Sequence, residues 1–171
     1  MSDLRDDNQD PASLYQLGEK YNKGDGVSQD HQKAFKLFKI SAEQGNSYAE
    51  FNLGDIYSHG LGVPQNLNEA FNWYQLSANH RNSKAQKVLG EMYENGKGTD
   101  KDYILAYMWY ELYESYVLAS PDQEEISNFK DLLKKKMTPE QIKKATDLVK
   151  TNPLINRRKS QKSGRVQIED F

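Results

Sequence analysis

The stretch LGDIYSHGLGV, at residues 53–63, is the middle copy of a pattern that occurs three times in this 171-residue chain. The other copies are LGEKYNKGDGV at 17–27 and LGEMYENGKGT at 89–99, so the period is 36 residues. Each copy is followed by a second related stretch: KAFKLFKISA at 33–42, EAFNWYQLSA at 69–78 and LAYMWYELYE at 105–114. A period of this length is typical of a solenoid, whose units pack on their neighbours and offer a surface to a partner.

The second copy predicts a pair of helices. The first helix should end at Gly60, the usual left-handed cap residue, and the second should begin after Asn66, a good N-cap. Both halves carry apolar residues at helical spacing, which predicts one packing face on each helix. These residues are Ala49, Leu53, Ile56 and Tyr57 in the first half, and Ala70, Phe71, Trp73, Tyr74 and Ala78 in the second.

A glycine follows the leucine in every copy, at Gly18, Gly54 and Gly90. Glycine inside a helix costs about 1 kcal/mol relative to alanine. Its presence in all three copies predicts that another helix passes too close for a side chain.

Three proline-containing starts extend the pattern beyond the repeats. Asp10-Pro11 should open the first helix, Ser120-Pro121 should open another with Gln123 in a capping box, and Thr138-Pro139 should open the last with Gln141. The segments 121–136 and 139–150 are amphipathic, and together they should close the open end of the third repeat. The sequence thus predicts a polar arm at 1–10, three repeats at 11–119, a two-helix cap at 120–151 and a tail at 152–171.

The tail is basic. Five lysines and arginines oppose two acids, which gives a local charge of +3. Composition favours a disordered tail, and the alternatives are a peptide docked on the solenoid or on a partner, or a nucleic-acid-binding arm. The last of these is disfavoured because no aromatic residue precedes Phe171 in the tail. The charged residues are Arg157, Arg158, Lys159, Lys162, Arg165, Glu169 and Asp170.

Bulk composition excludes several classes of protein. Hydrophobic residues make up 36%, mean hydropathy is -0.93 and net charge is -2, so no membrane span and no general attraction to nucleic acid are expected. The chain has no cysteine, which excludes disulfides and thiolate metal sites. The start MSDLRDDNQD is acidic and polar, unlike a signal peptide, so a cytoplasmic location is expected.

The repeat resembles the Sel-one-like repeat (SLR, or Sel1-like) family, a helical relative of the tetratricopeptide repeat. The resemblance covers roughly residues 12–118 and rests on Ala-x3-Leu-Gly-x2-Tyr-x2-Gly-x-Gly-Val followed by Lys/Glu-Ala-x2-Trp-Tyr. Ser13, Leu37 and Thr99 depart from this pattern. The stretch KKKMTPEQIKKATDLVK is similar to the C-terminal segment of many bacterial members, which implies a bacterial origin.

The resemblance implies an all-α, right-handed α-solenoid of three repeats plus a two-helix cap. It also implies an interaction module that binds another protein or peptide, for example an adaptor, a regulator or an immunity protein that neutralises a toxin. Some cysteine-rich relatives have been linked to binding or cleaving β-lactams. This chain lacks their cysteines, so the enzyme alternative is disfavoured.

The residues themselves offer no catalytic motif. No nucleophile elbow, phosphate-binding loop or dinucleotide fingerprint is present, and the three histidines lack metal-ligand spacing, so neither an enzyme nor a cofactor is predicted. His59 should interact with the dipole at a helix end, whereas His31 and His80 should be exposed at loop edges.

Aromatic residues divide into core and surface groups. Tyr21, Tyr57 and Tyr93 follow the period and predict core positions, as do Trp73 and Trp109. Tyr15, Tyr48 and Phe51 lie off that face and are either incidental exposed aromatics or binding anchors in a groove lined by the first helices. By resemblance to the tetratricopeptide groove, the partner-binding residues are Tyr15, Glu19, Asn22 and Lys23 in the first repeat, Tyr48, Phe51, Asp55, Ser58 and His59 in the second, and Lys84, Lys87, Glu91, Glu94 and Asn95 in the third.

Overall fold

The structure is a computed structural model that describes residues 10–116 and 122–154. Every regular element in these ranges is an α-helix, so the predicted order of three helix pairs followed by two further helices is confirmed there. The polar arm, the Ser120 capping box and nearly all of the basic tail lie outside the described residues. The helices are α1 Pro11–Lys23, α2 His31–Glu43, α3 Ser47–His59, α4 Leu67–Asn79, α5 Ser83–Asn95, α6 Tyr103–Glu114, α7 Asp122–Lys135 and α8 Pro139–Thr151.

Local signals set the helix ends as the sequence predicts. Gly60 adopts a left-handed φ of 70° after α3, and its amide donates to the carbonyl of Ile56. The Asn66 side chain accepts from the amides of the first turn of α4. Thr138 and Gln141 form the reciprocal capping box at α8. These caps stop and restart the helix within each repeat, so that successive helices can pack side by side.

The chain divides into two compact units, at residues 1–85 and 86–171. In the first unit α1 packs on α2, α2 on α3 and α3 on α4. Ala34, Ala70, Phe38 and Leu53 are fully buried there. The small residues Ala34 and Ala70 occur at equivalent positions of α2 and α4 and let the paired helices approach closely.

The repeat glycines do make a close approach, but to an aromatic ring of the second helix. A Cβ added at Gly54 would lie 2.5 Å from the ring of Tyr74, and one at Gly18 would lie 2.7 Å from the ring of Phe38. Tyr110 occupies the same place against Gly90. Each glycine therefore provides the flat surface on which the aromatic side chain of its own repeat lies.

The leucine of the first copy does not belong to the core, unlike its equivalents in the other two copies. Leu17 is 36% exposed, whereas Leu53 and Leu89 are fully buried. In the described chain no helix precedes α1, so the face that α2 covers on α3 stays open on α1. Tyr21 and Tyr57 are likewise only half-buried, whereas Tyr93 is buried.

In the second unit, α7 and α8 pack against α6. Ile126 and Leu133 of α7 and Ala145 of α8 are fully buried, which confirms that the two C-terminal helices cover the third repeat. Lys130 of α7 is also buried, and its ammonium group pairs with Glu111 and Glu114 of α6. The cap is thus fixed to α6 by apolar packing and by one ion cluster.

Candidate functional site

Nine of the predicted partner-binding residues lie on α1 and α3 of the first unit, and we call them the α1–α3 face. At one end of this face the rings of Tyr15 and Tyr48 have centroids 5.8 Å apart. Tyr48 is 61% exposed, which makes it the most exposed large hydrophobic residue among the described ones. The face comprises Tyr15, Glu19, Asn22, Lys23, Tyr48, Phe51, Asp55, Ser58 and His59.

The other two aromatic residues of the face are partly used for packing. The ring of Tyr15 lies 5.9 Å from that of Phe38, and the ring of Phe51 lies 5.5 Å from that of Tyr74. Both side chains are half-buried as a result. They support the aromatic residues that rest on Gly18 and Gly54, and only Tyr48 is a largely free aromatic side chain.

The carboxylate of Glu19 is already satisfied within the face. Lys23 Nζ donates to it at 2.6 Å and Asn52 Nδ2 at 3.3 Å. Beside it an open depression of about 260 Å³ is lined by Tyr15, Gln16, Glu19, Lys20, Lys23 and Asp25. The α1 side of the face has both charge signs and no strong excess of either.

Asp55 lies on α3, 36 residues after Glu19 of α1, and is held differently. The hydroxyl of Tyr74 donates to Asp55 Oδ1 at 2.6 Å. Burial raises the pKa of the Asp55 carboxyl, while this hydrogen bond and the positive charges of His59 and Lys84 act in the opposite direction. No cation in the described residues comes within ion-pair distance of Asp55.

The remaining polar residues of the face are bonded locally. His59 is the last residue of α3, and its Nδ1 lies 2.8 Å from both the Asp55 carbonyl oxygen and Ser58 Oγ. Its position at a helix C-terminus is the predicted one. His31 is half-buried rather than exposed, because it begins α2 and its Nδ1 lies 3.0 Å from Asn22 Oδ1.

In the third repeat two of the five predicted groove residues, Lys87 and Glu94, contact the cap of the same unit. Phe129 of α7 stacks on Tyr110 with centroids 6.1 Å apart, and Lys87 Nζ lies 5.9 Å from the centre of the Phe129 ring. Glu94 accepts from the Tyr110 hydroxyl at 3.0 Å and from Lys136 Nζ at 2.7 Å. Lys87 and Glu94 therefore help to hold the cap. Asn95 donates to the backbone carbonyl of Glu91.

Sequence reasoning missed one buried carboxylate in the first unit and its histidine partner. The Glu50 side chain is fully buried, and His80 Nδ1 lies 2.9 Å from each of its carboxylate oxygens. His80 is exposed at the loop edge after α4, as predicted, and the sequence did not reveal that its ring also contacts this carboxylate. The equivalent positions 36 residues away are Leu14 and Gln86, which are also buried, so this position lies in the core in all three copies although its residue type differs.

Replacing Glu50 with glutamine is expected to stabilise the fold at neutral pH. Burial raises the pKa of Glu50, and His80 only partly offsets this, so ionised Glu50 costs folding free energy at pH 7. For an acid with a raised pKa the cost disappears as the pH falls towards that pKa. Glu50→Gln should gain ~1 kcal/mol at pH 7 and less on acidification.

Thermal melts of wild type and Glu50→Gln between pH 7 and pH 5 measure this difference. A variant that is less stable at pH 7 would show that the His80 pair outweighs the burial of the charge. The exposed Glu43→Gln substitution removes the same charge on α2 and is the control.

No group of three or more histidine, aspartate or glutamate side chains in the described ranges is arranged to hold a metal ion. The same ranges contain no helix that combines the length and apolarity needed to cross a bilayer.

Comparisons with known proteins agree with this geometry. The Sel1 repeat family profile matches residues 11–46, 47–82 and 83–112. A Sel1 repeat protein from Oxalobacter formigenes is 35% identical with a TM-score of 0.62, over 66% of this chain and 46% of that one. A search of curated protein sequences gave no match.

Two further solved structures share the fold at lower identity. A protective antigen of uropathogenic Escherichia coli strains with an SLR fold is 24% identical, with a TM-score of 0.58 over 94% of this chain and 41% of its own. Helicobacter pylori cysteine rich protein B is 23% identical, with a TM-score of 0.54 over 70% of this chain and 98% of its own. The α-solenoid class is thereby confirmed. The chain spans less than half the length of the first two structures.

Proposed function

Because the chain belongs to the Sel1 repeat family, we propose that it is a protein–protein interaction module that binds a partner protein or peptide on the α1–α3 face. Repeats of this family generally mediate interactions between proteins. Within that class we propose an adaptor, regulator or toxin-neutralising immunity protein of the bacterial cytoplasm. The bacterial sources of the similar structures support the bacterial setting.

The exposure of Tyr48 is the observation that carries the proposal. Its ring is held from one side by Tyr15, so the side chain has little freedom to lose when a partner covers it. Large, partly preordered tyrosines are frequent hot spots of protein interfaces. Tyr15, which contacts Tyr48, also lies beside Glu19 with its Lys23 and Asn52 contacts. An apolar anchor close to bonded polar groups is typical of protein interfaces.

A selection experiment tests this function without knowledge of the natural partner. The full chain is immobilised and presented with a phage-displayed library of random 16-residue peptides. The proposal expects peptides that bind wild type and that bind the Tyr48→Ala variant more weakly. It is overturned if no peptide binds, or if every peptide binds both proteins equally, which would move the binding surface away from α1 and α3.

Tyr48→Ala and Phe51→Ala are expected to differ in stability although both weaken binding by about 1 kcal/mol or more. Tyr48→Ala should leave the melting temperature nearly unchanged because the side chain is mostly in solvent. Phe51→Ala should lower it, because the Phe51 ring packs on Tyr74. Calorimetry with a selected peptide and thermal melts of both variants separate the two effects. Equal melting temperatures would contradict the packing role of Phe51.

A further inference from the structure

In the third repeat, a carboxylate that accepts a hydrogen bond from a tyrosine also forms an ion pair with a lysine. Tyr110 donates to Glu94 Oε2, and the other oxygen of Glu94 receives the ammonium group of Lys136 at 2.7 Å. The segment that delivers Lys136 also places Phe129 on the Tyr110 ring. One helical segment thus provides an aromatic side chain and, seven residues later, a cation.

The second repeat contains a related tyrosine–carboxylate pair without the cation, with its acid at Asp55, the position of Glu91, and with Ser58 at the position of Glu94. Tyr74 occupies the position of Tyr110, 36 residues earlier, and its hydroxyl donates to Asp55 Oδ1 at 2.6 Å. The aromatic cover of Tyr74 comes from Phe51 within the repeat itself. In the described residues Asp55 has Tyr74 as its side-chain hydrogen-bond partner, and its second oxygen accepts no hydrogen bond.

The first repeat does not offer a similar opening. Its second helix has Phe38, which has no hydroxyl, at the position of Tyr74. The carboxylate of Glu19 is paired with Lys23 and Asn52. Among the three repeats, a tyrosine-bound carboxylate without an ion-paired cation is therefore found in the second, within the described residues.

We propose that the Asp55–Tyr74 pair is the docking point for a lysine or arginine side chain of the bound partner, on a segment that also places an apolar side chain against Tyr48. This inference rests on the proposed interaction function and specifies the chemistry of the partner. An incoming ammonium or guanidinium group donates to Asp55 Oδ2, while Oδ1 keeps the Tyr74 hydroxyl. The aliphatic part of the side chain passes over the half-buried ring of Phe51.

Two positive charges lie near Asp55, but neither forms an ion pair with it in the structure. Lys84 and His59 attract Asp55 electrostatically, yet neither lies within ion-pair distance of it. The Lys84 side chain is exposed and free to move away, and His59 Nδ1 faces backbone and hydroxyl oxygens. A partner cation that makes a direct contact therefore gains more from Asp55 than these two residues do.

The amino-acid sequences of the peptides obtained in the selection described above test this inference. The selected peptides should be enriched in lysine or arginine, and replacing that residue with glutamine should weaken binding to wild type about tenfold. The same replacement should have little effect on binding to Asp55→Asn, which retains an oxygen that can accept from Tyr74. Glu43→Gln removes one negative charge on the exposed side of α2 and should bind like wild type.

A charge exchange gives an independent result. Asp55→Lys should bind poorly to basic peptides, and a peptide with glutamate in place of its lysine should recover part of the affinity. Peptides that bind through Tyr48 but need no basic residue would overturn this inference and leave the proposed function standing. The inference would also be overturned if replacing the basic peptide residue with glutamine weakened binding to Asp55→Asn as much as binding to wild type. A library that yields no binder would overturn the proposed function, and this inference with it.

Discussion

Replacing Gly54 with leucine is expected to destabilise the protein by about 3 kcal/mol or more. A Cβ at this position would lie 2.5 Å from the Tyr74 ring, and that ring cannot turn away because Tyr74 is buried and hydrogen-bonded to Asp55. The larger side chain must push α3 and α4 apart. Urea unfolding of the variant measures the loss.

Gly54→Ala should also destabilise, although less, because the overlap arises at the Cβ atom itself. The gain in helix propensity that alanine brings at a roomy position, about 1 kcal/mol, is therefore outweighed. Lys36→Leu, at an exposed position of α2, is the control for introducing a leucine side chain into a helix. If Gly54→Leu unfolds at the same urea concentration as wild type, the close approach of Tyr74 has no energetic importance.

Replacing Lys130 with alanine is expected to cost about 3 kcal/mol. The Lys130 ammonium lies 2.5 Å from carboxylate oxygens of both Glu111 and Glu114, and its removal leaves two partly buried like charges facing each other. Burial disfavours the charged lysine, but the two glutamates outweigh burial and raise the pKa of Lys130. The stabilisation is present at neutral pH and is lost as the pH rises through this raised pKa.

Lys134→Ala is the matched control for this prediction. Both lysines lie 5.6 Å from the Tyr107 ring centre, but Lys134 is more exposed and pairs with the exposed Asp131, so its removal should cost less than about 1 kcal/mol. Adding Glu111→Gln to Lys130→Ala should recover part of the lost stability, because only one uncompensated carboxylate then remains. Equal unfolding midpoints for the two lysine variants would show that the ion cluster contributes nothing to the attachment of the cap.

Most of the fold was predictable because its determinants are local. Gly60, Asn66 and Thr138 act on backbone groups within a few residues of themselves, and the structure places all three caps as expected. The repeat period supplied the rest, since a glycine at the same position in three copies indicates a shared contact. It did not reveal that the contact is with the ring of Tyr74 rather than with a helix backbone.

The candidate site was harder to predict because it depends on contacts between distant residues. Glu50 and His80 are separated by 30 residues, and neither has a counterpart of the same type in the other repeats. Helical spacing placed Phe51 on the outer face, yet its ring turns back onto Tyr74. Periodicity gives the direction of a side chain to within part of a turn, which is too coarse to separate an exposed ring from a half-buried one.

The Phe129 contact restricts how proteins of this kind can gain or lose copies during evolution. Position 87 carries lysine where the two earlier copies carry Tyr15 and Phe51, and the ring that covers Tyr110 comes from the cap. The last copy and the cap are therefore expected to be inherited as one module. A lineage can lengthen by duplicating a copy that provides its own aromatic ring, but a recombination breakpoint between residues 110 and 129 would separate Tyr110 from the ring that packs on it.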